Sequence, residues 1–197
     1  MGRRPRAPDP GVSGDRDRLL ALLLERSFRV GDFVLSSGAR SRFYIDCRTT
    51  TTHAEGQAVV GRLGLAALRD AGLRPDGIGG LTMGADPVAY AIAHSSFLAG
   101  DPVNAFTVRK EPKAHGTAKR LEGCFAAGDR VVVVEDVITT GGSALRAIEA
   151  IEAEGGTVEA VLSLVDREEG GREAIEARGY PVHALVLVSE LLAAAER

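Results

Sequence analysis

The chain has 197 residues, 45% of them hydrophobic and 26% charged, which is an ordinary globular composition and enough sequence for one well-cored domain. Its net charge of −3 gives no general electrostatic reason to expect nucleic-acid binding. The only cysteines, Cys47 and Cys124, have neither metal-ligand spacing nor the makings of a disulfide framework, which favours a reducing cytoplasm, and no apolar run approaches the roughly 20 residues of a membrane helix.

The first segment, MGRRPRAPDPGVSG, is rich in Arg, Pro and Gly and has no apolar stretch of the signal-peptide kind. It is expected to be a disordered tail over residues 1–14, with residues 15–197 forming a single domain. Asp15 to Ser27 carries a cluster of leucines that predicts a helix with a broad apolar face. Residues 28–48 then change character. Phe33 and Leu35 lead into a Ser-Ser-Gly turn, and Phe43, Tyr44 and Ile45 form a second short strand, so this segment is expected to be a hairpin hood over the main domain.

Thr52 and Glu55 have the spacing of a capping box, predicting a helix that stops near Gly72. From there strands and helices alternate. Strands are expected at Gly77–Leu81, Asn104–Val108, Val158–Val165 and His183–Val188. Helices are expected from Pro87, from Ser143 to Glu154, from Arg172 to Arg178 and at the C-terminus. Such alternation predicts an α/β fold whose mostly parallel, twisted sheet is flanked by helices and takes its ligand at the carboxyl ends of the strands.

The most informative stretch is Val131 to Ser143, VVVVEDVITTGGS. Four β-branched apolar residues suit a strand buried on both faces. Glu135 and Asp136 follow directly, and carboxylates there are costly to bury unless they face a cleft and a ligand. The turn Thr139-Thr140-Gly141-Gly142-Ser143 exposes backbone N–H groups where a helix begins, a place that favours phosphate. Together these features suit a sugar phosphate. The competing reading, an ordinary buried strand followed by a helix cap, leaves the paired acids unexplained.

VVVVEDVITTGGS closely resembles the phosphoribosyl-pyrophosphate (PRPP) signature of the type I phosphoribosyltransferases. The resemblance implies that Glu135, Asp136, Val137, Ile138, Thr139, Thr140, Gly141, Gly142 and Ser143 contact PRPP, with Asp136 in a catalytic role. A second stretch, RKEPKAHG, resembles the R-K-x-x-K-x-H-G catalytic loop of the orotate phosphoribosyltransferases. That likeness carries over to Arg109, Lys110, Lys113, His115 and Gly116. It implies PRPP binding by the four charged residues, catalysis by Lys113 and His115, and a homodimer that shares its 109–123 loop across the interface. On its own the basic run reads as a solvated loop, although several cations suit a departing pyrophosphate.

Three further segments agree. LSSGARSRFYID, ending at Asp46, resembles the family segment near the pyrimidine, with Ser36 where many members have Lys. GGLTMGADP resembles the pyrophosphate loop, and it reads equally as a tight strand-to-helix turn. VDREEGG resembles the motif whose arginine binds orotate, which assigns orotate to Arg167; the family resemblance also implies that Thr139 contacts orotate. The competing reading of Arg167 is a surface ion pair with Glu168 or Glu169. His53, His94 and His183 read as structural.

The resemblance spans about Phe28 to Val188. It implies a Mg²⁺-dependent pentosyltransferase of pyrimidine (UMP) biosynthesis, converting orotate and PRPP to orotidine 5′-monophosphate and pyrophosphate. It assigns no side chain as a metal ligand, because Mg²⁺ would be held through the oxygens of PRPP. Two alternatives stand beside it: a type I phosphoribosyltransferase acting on a purine base, and a regulator with this fold that binds nucleic acid. The net charge and the absence of an added nucleic-acid module count against the second.

Overall fold

A computed structural model describes residues 10–34, 38, 40–111 and 120–196, with side chains from residue 14 onward. In chain order the elements are α1 (Pro10–Leu22), a π-helical turn (Leu23–Ser27), β1 (Phe28–Val34), β2 (Arg40–Ile45), α2 (Arg48–Thr51), α3 (Ala54–Asp70), β3 (Gly77–Leu81), α4 (Ala85–Leu98) and β4 (Asn104–Val108). They continue as β5 (Leu121–Gly123), β6 (Arg130–Ile138), α5 (Gly142–Ala153), β7 (Thr157–Asp166), α6 (Gly171–Glu176), β8 (Val182–Leu187) and α7 (Val188–Ala195). β1 and β2 form a separate antiparallel hairpin, and the other strands form one six-stranded sheet in the order β5-β4-β3-β6-β7-β8. Every pairing in that sheet is parallel except β4 with β5.

The pleat of β6 explains why four successive valines are needed. Side chains alternate along a strand, so Val132 and Val134 enter the core beneath α1, α3, α4 and α7, while Val131 and Val133 enter the core beneath α5 and α6. All four are fully buried, each worth roughly 1.5–3 kcal/mol of transfer free energy. A strand with both faces covered cannot show the alternating polarity of a half-exposed one.

β3 and β6 lie side by side at the centre, yet they pair only from Gly77↔Val131 to Gly79↔Val133. β3 connects through α4 to β4 on one side, and β6 connects through α5 to β7 on the other. The chain therefore winds away in opposite directions from the β3–β6 junction, where helix-capped strand ends leave an open crevice. Beyond Val133, β6 is held only by β7, through Glu135↔Ser163 and on to Ile138↔Asp166. The acids thus lie inside β6, whereas the sequence placed them after its end, because the long β7 continues to supply ladder partners.

Gly80 shows how tightly the central strands approach. A Cβ there would meet the carbonyl oxygen of Val134 and would lie 2.7 Å from the Ala85 Cβ. Since backbone is the obstacle, Gly80→Ala should destabilise the fold by about 2–3 kcal/mol in chemical denaturation. An unchanged midpoint would mean that β3 and β6 are freer to separate than their spacing indicates.

Other differences from the sequence reading have local causes. Residues 10–14, expected in the tail, belong to α1, and its leucine face continues into the π-helical turn before β1. The capping box does not form: Thr52 donates its hydroxyl to the Arg48 carbonyl (2.7 Å), and Glu55 turns to Arg18 (2.6 Å). His53 takes the N-cap position of α3 instead. α4 begins at Ala85, two residues before the Pro87 start. β5, read as part of a polar loop, pairs antiparallel with β4 through Val108↔Leu121.

Candidate active site

The crevice beside the β3–β6 junction encloses about 420 Å³. Its walls come from the end of β2 and the start of α2 (Tyr44 to Arg48), the loop after β3 (Leu81 to Gly84), Lys110, the end of β6 and Arg167. A smaller hollow of about 100 Å³ adjoins it, formed by Glu135, Val137, Ile138, the turn Thr139–Ser143 and Arg146. Glu135, Val137, Thr139 and Ser143 line both, so the two hollows are contiguous.

The turn is built for close approach. Gly141 has φ 78° and occupies the N-cap position of α5. A side chain there would be strained by φ and crowded by the Gly171 carbonyl oxygen at 2.8 Å. The unpaired N–H groups at the start of α5 and the helix dipole together favour an anion. Arg146, one turn into α5, adds a cation that donates to the Ser143 hydroxyl at 3.2 Å. Sequence reasoning missed Arg146. Its signal was a cation one helical turn beyond the glycine turn.

The two acids sit differently. Glu135 is buried with its Oε1 lacking a hydrogen-bond partner among the described residues. Burial, reinforced by the charge of Asp136 and opposed by Arg146, pushes its carboxyl up to about 8. Asp136 is held above its ordinary value, mainly by burial, while the Val137 N–H bonding to it at 2.9 Å pulls the other way. Its carboxylate packs against Gly84, where an added Cβ would come within 2.5–2.7 Å of its atoms. The glycine at position 84 is therefore what leaves room for Asp136 at the crevice.

A testable pH dependence follows from Glu135. Its folded value lies above the ordinary 4.5, so the folded state holds a proton that the unfolded chain releases. The resulting stabilisation is complete below about 4.5 and is lost as pH rises through about 8. Glu135→Gln, which stays neutral, should become progressively more stable relative to wild type between those limits. Melting curves that run parallel across that range would contradict the assignment.

The loop stems are fixed. The Arg109 N–H donates to the Arg120 carbonyl (2.8 Å), the Arg120 guanidinium returns to the Arg109 carbonyl (3.2 Å), and the Arg120 N–H is held by Glu154 (2.9 Å). Lys110 lines the crevice, while Arg109 faces Glu122 at 3.7 Å. Lys113, His115 and Gly116 lie outside the described residues, as does Ser36.

Arg167 completes the crevice wall. Only 6% of it is exposed, its N–H is tied to the Ile138 carbonyl at the end of β6 (2.9 Å), and its guanidinium carbon lies 4.6 Å above the Phe43 ring centre. It also pairs with Glu169 at 2.7 Å. The ion-pair reading was therefore correct about a partner, but the arginine itself is buried at the crevice. Asp46 and Arg48, which sequence reasoning did not single out, form a two-point pair at 2.8 Å on the crevice wall, and Arg48 holds the Asp46 carboxyl below its usual range. Cys47 between them is fully buried, its thiol pushed well up by burial and by the charge of Asp136.

Acids within a central parallel strand, a glycine turn opening a helix beneath them, a crevice at the winding reversal and a hairpin above it together define the type I phosphoribosyltransferase fold. An adenine phosphoribosyltransferase from Leishmania donovani shares that fold with a TM-score of 0.60 at 21% identity. No family model matches the chain. The orotate phosphoribosyltransferase of Aquifex aeolicus is 46% identical over 181 residues, covering 90% of this chain and 98% of that protein. The orotate phosphoribosyltransferase of Bradyrhizobium sp. is also 46% identical, covering 91% of this chain and 98% of its own. The crystal structure of the Mycobacterium tuberculosis orotate phosphoribosyltransferase with Fe(III) dicitrate superposes with a TM-score of 0.80 at 43% identity, covering 90% and 98% of the two chains. The same enzyme with PRPP gives 0.76 at 41% identity and equal coverage. The chain belongs to the orotate phosphoribosyltransferase family.

Proposed function

We propose that this protein transfers the 5-phosphoribosyl group of PRPP to orotate, giving orotidine 5′-monophosphate and pyrophosphate. The observation that carries this reading is the continuity of the phosphate-sized hollow at Thr139–Ser143 with a crevice that has Glu135 and Asp136 on one wall and the buried Arg167 on another. The 5′-phosphate is bound by the turn and the N-terminus of α5. Asp136 and Glu135 bond the ribose hydroxyls, and the negative charge of Asp136 favours the ring as it becomes cationic. Arg167 and Thr139 hold orotate, so that its ring nitrogen attacks the anomeric carbon as the bond to the diphosphate oxygen breaks, its N–H proton passing to the departing pyrophosphate or to solvent.

Pyrophosphate leaves with the bonding electrons, and Lys110, Lys113, His115 and Arg109 stabilise that charge. Orotate is already a competent nucleophile, so catalysis consists of positioning and leaving-group stabilisation. Closure of the cationic loop would exclude water that could hydrolyse PRPP. The orphaned Glu135 oxygen and the Asp136 carboxylate are oxygen donors of the kind a hard cation accepts. Together with bound PRPP they would hold Mg²⁺, and the ion would supply neutralising charge. Sharing of the 109–123 loop between the subunits of a homodimer, and a cytoplasmic place in pyrimidine synthesis, complete the reading. Among the described residues no helix is long and apolar enough to cross a membrane.

The deciding experiment compares orotate, uracil, adenine and hypoxanthine as acceptors with PRPP, in the presence and absence of Mg²⁺. Turnover of orotate alone, requiring Mg²⁺, is the expected result. Turnover confined to a purine would overturn the assignment. Salt-sensitive RNA binding without transfer would favour a regulator instead.

A further inference from the structure

Resting on the orotate reading above, we propose that Glu169 is a positioning residue for the pyrimidine substrate, acting by fixing which edge of Arg167 faces the crevice. The Oε1 atom of Glu169 accepts hydrogen bonds from both Nε (3.0 Å) and Nη2 (2.7 Å) of Arg167. The Phe43 ring supports the flat face of the same guanidinium, 4.6 Å from its carbon. A planar group held along one edge and on one face has little freedom left. The donors that remain are on Nη1 and the far side of Nη2, and these form the fork that matches a carboxylate or a pair of carbonyl acceptors. Glu169 therefore occupies the side of Arg167 that substrate does not need, and leaves free the side that it does.

Glu169 is itself set in place by its neighbours. Asp166, buried at the end of β7, accepts the Glu168 N–H (2.8 Å) and the Arg172 side chain (2.9 Å). Glu168 adopts φ 56°, a conformation that a non-glycine residue keeps only where surrounding contacts impose it. Its carboxylate accepts the Ser189 N–H at the start of α7 (2.8 Å). The turn from Asp166 to Gly170 is thus pinned at several points, and it delivers the Glu169 side chain to one edge of Arg167. Side-chain exposure differs sharply across the pair, 6% for Arg167 and 40% for Glu169. The negative charge of Glu169 consequently lies on the solvent side, where screening weakens its repulsion of an anionic substrate, while the short hydrogen bonds keep their directional effect.

The test is steady-state kinetics on the full-length protein, with orotate and PRPP varied separately, for wild type, Glu169→Ala and Glu169→Gln. Glu169→Ala should raise the KM for orotate roughly tenfold while kcat and the KM for PRPP stay within about twofold. Glu169→Gln keeps a carbonyl acceptor at the same reach and should recover most of the loss. An orotate KM that is unchanged or lower in Glu169→Ala would overturn the proposal, since Glu169 would then be only a shielding charge. Equal rises in both KM values, accompanied by a lower melting temperature, would overturn it in favour of a purely structural role. Absence of orotate turnover in wild type would instead overturn the functional reading itself, and is seen before any variant is made.

Discussion

Lys113→Ala should lower kcat by roughly two to three orders of magnitude, the range found when one donor to a developing negative charge is removed. PRPP binding should remain measurable, because the hollow at Thr139–Ser143 and the acids Glu135 and Asp136 lie on other elements. The motive is the composition of the loop together with its anchorage. The loop leaves the described fold at Glu111 and rejoins it at Arg120, with its stems joined by the Arg109–Arg120 backbone hydrogen bond and with Lys110 already on the crevice wall. A cation beyond that point can strengthen its contacts as pyrophosphate gains charge, which affects kcat more than ground-state binding. Single-turnover and equilibrium-binding measurements separate the two effects. Unchanged turnover would remove Lys113 from the mechanism. If the loop acts in the neighbouring subunit, mixing Lys113→Ala with Asp136→Ala should restore activity in hybrid dimers. No recovery despite proven subunit exchange would count against sharing.

Arg167→Ala should lower kcat/KM for orotate by roughly 100-fold or more, through loss of charge-assisted hydrogen bonds worth about 1.5–3 kcal/mol each. The KM for PRPP should change little, because Arg167 is not among the residues that line the hollow at Thr139–Ser143. Two consequences reinforce the loss. Removal of the guanidinium leaves Glu169 without its partner beside an anionic substrate, and leaves Phe43 without the group stacked on it. Arg167→Lys keeps the charge but lacks the planar fork, so it should fall between wild type and alanine. The informative comparison is orotate against uracil, which lacks the carboxylate. Wild type should strongly prefer orotate, and Arg167→Ala should lose most of that preference. An orotate KM unaffected by Arg167→Ala would place substrate recognition elsewhere on the wall.

Much of this was legible in the residues. The valine run had to be a doubly covered strand, since no other arrangement hides four consecutive β-branched side chains so economically. β3 and β4 were also legible, at Gly77–Leu81 and Asn104–Val108, each flanked by chain that could not continue them. The small-residue turn before α5 was visible because glycine at position 141 meets a backbone requirement that φ 78° makes explicit. What misled was mostly local pattern overruled by a distant partner. Thr52 and Glu55 had capping-box spacing, but Glu55 found Arg18 on α1. β5 was hidden because its three residues carry little pattern of their own and are a strand only by pairing with β4. In GGLTMGADP, which the sequence also read as a tight turn, Gly79 and Gly80 are small because Phe106 and Val134 press against them, while Gly84 faces the crevice.

By itself, then, the sequence determined the layered α/β class, the central buried strand with its two acids and glycine turn, and the likeness to one family. These are properties of short, contiguous stretches, where side-chain period, backbone freedom and charge spacing act within a few residues. Only the tertiary structure decided what those stretches face. It sent Glu135 to a buried position with an unpartnered oxygen and Asp136 against Gly84. It brought Arg146 to the glycine turn and the Asp46–Arg48 pair to the crevice wall. It also set Arg167 between Phe43 and Glu169, from a hairpin and a turn more than a hundred positions apart in the chain. The reason is that pKa, donor orientation and cleft shape depend on burial and on partners across the fold, and the packing of the whole chain sets both.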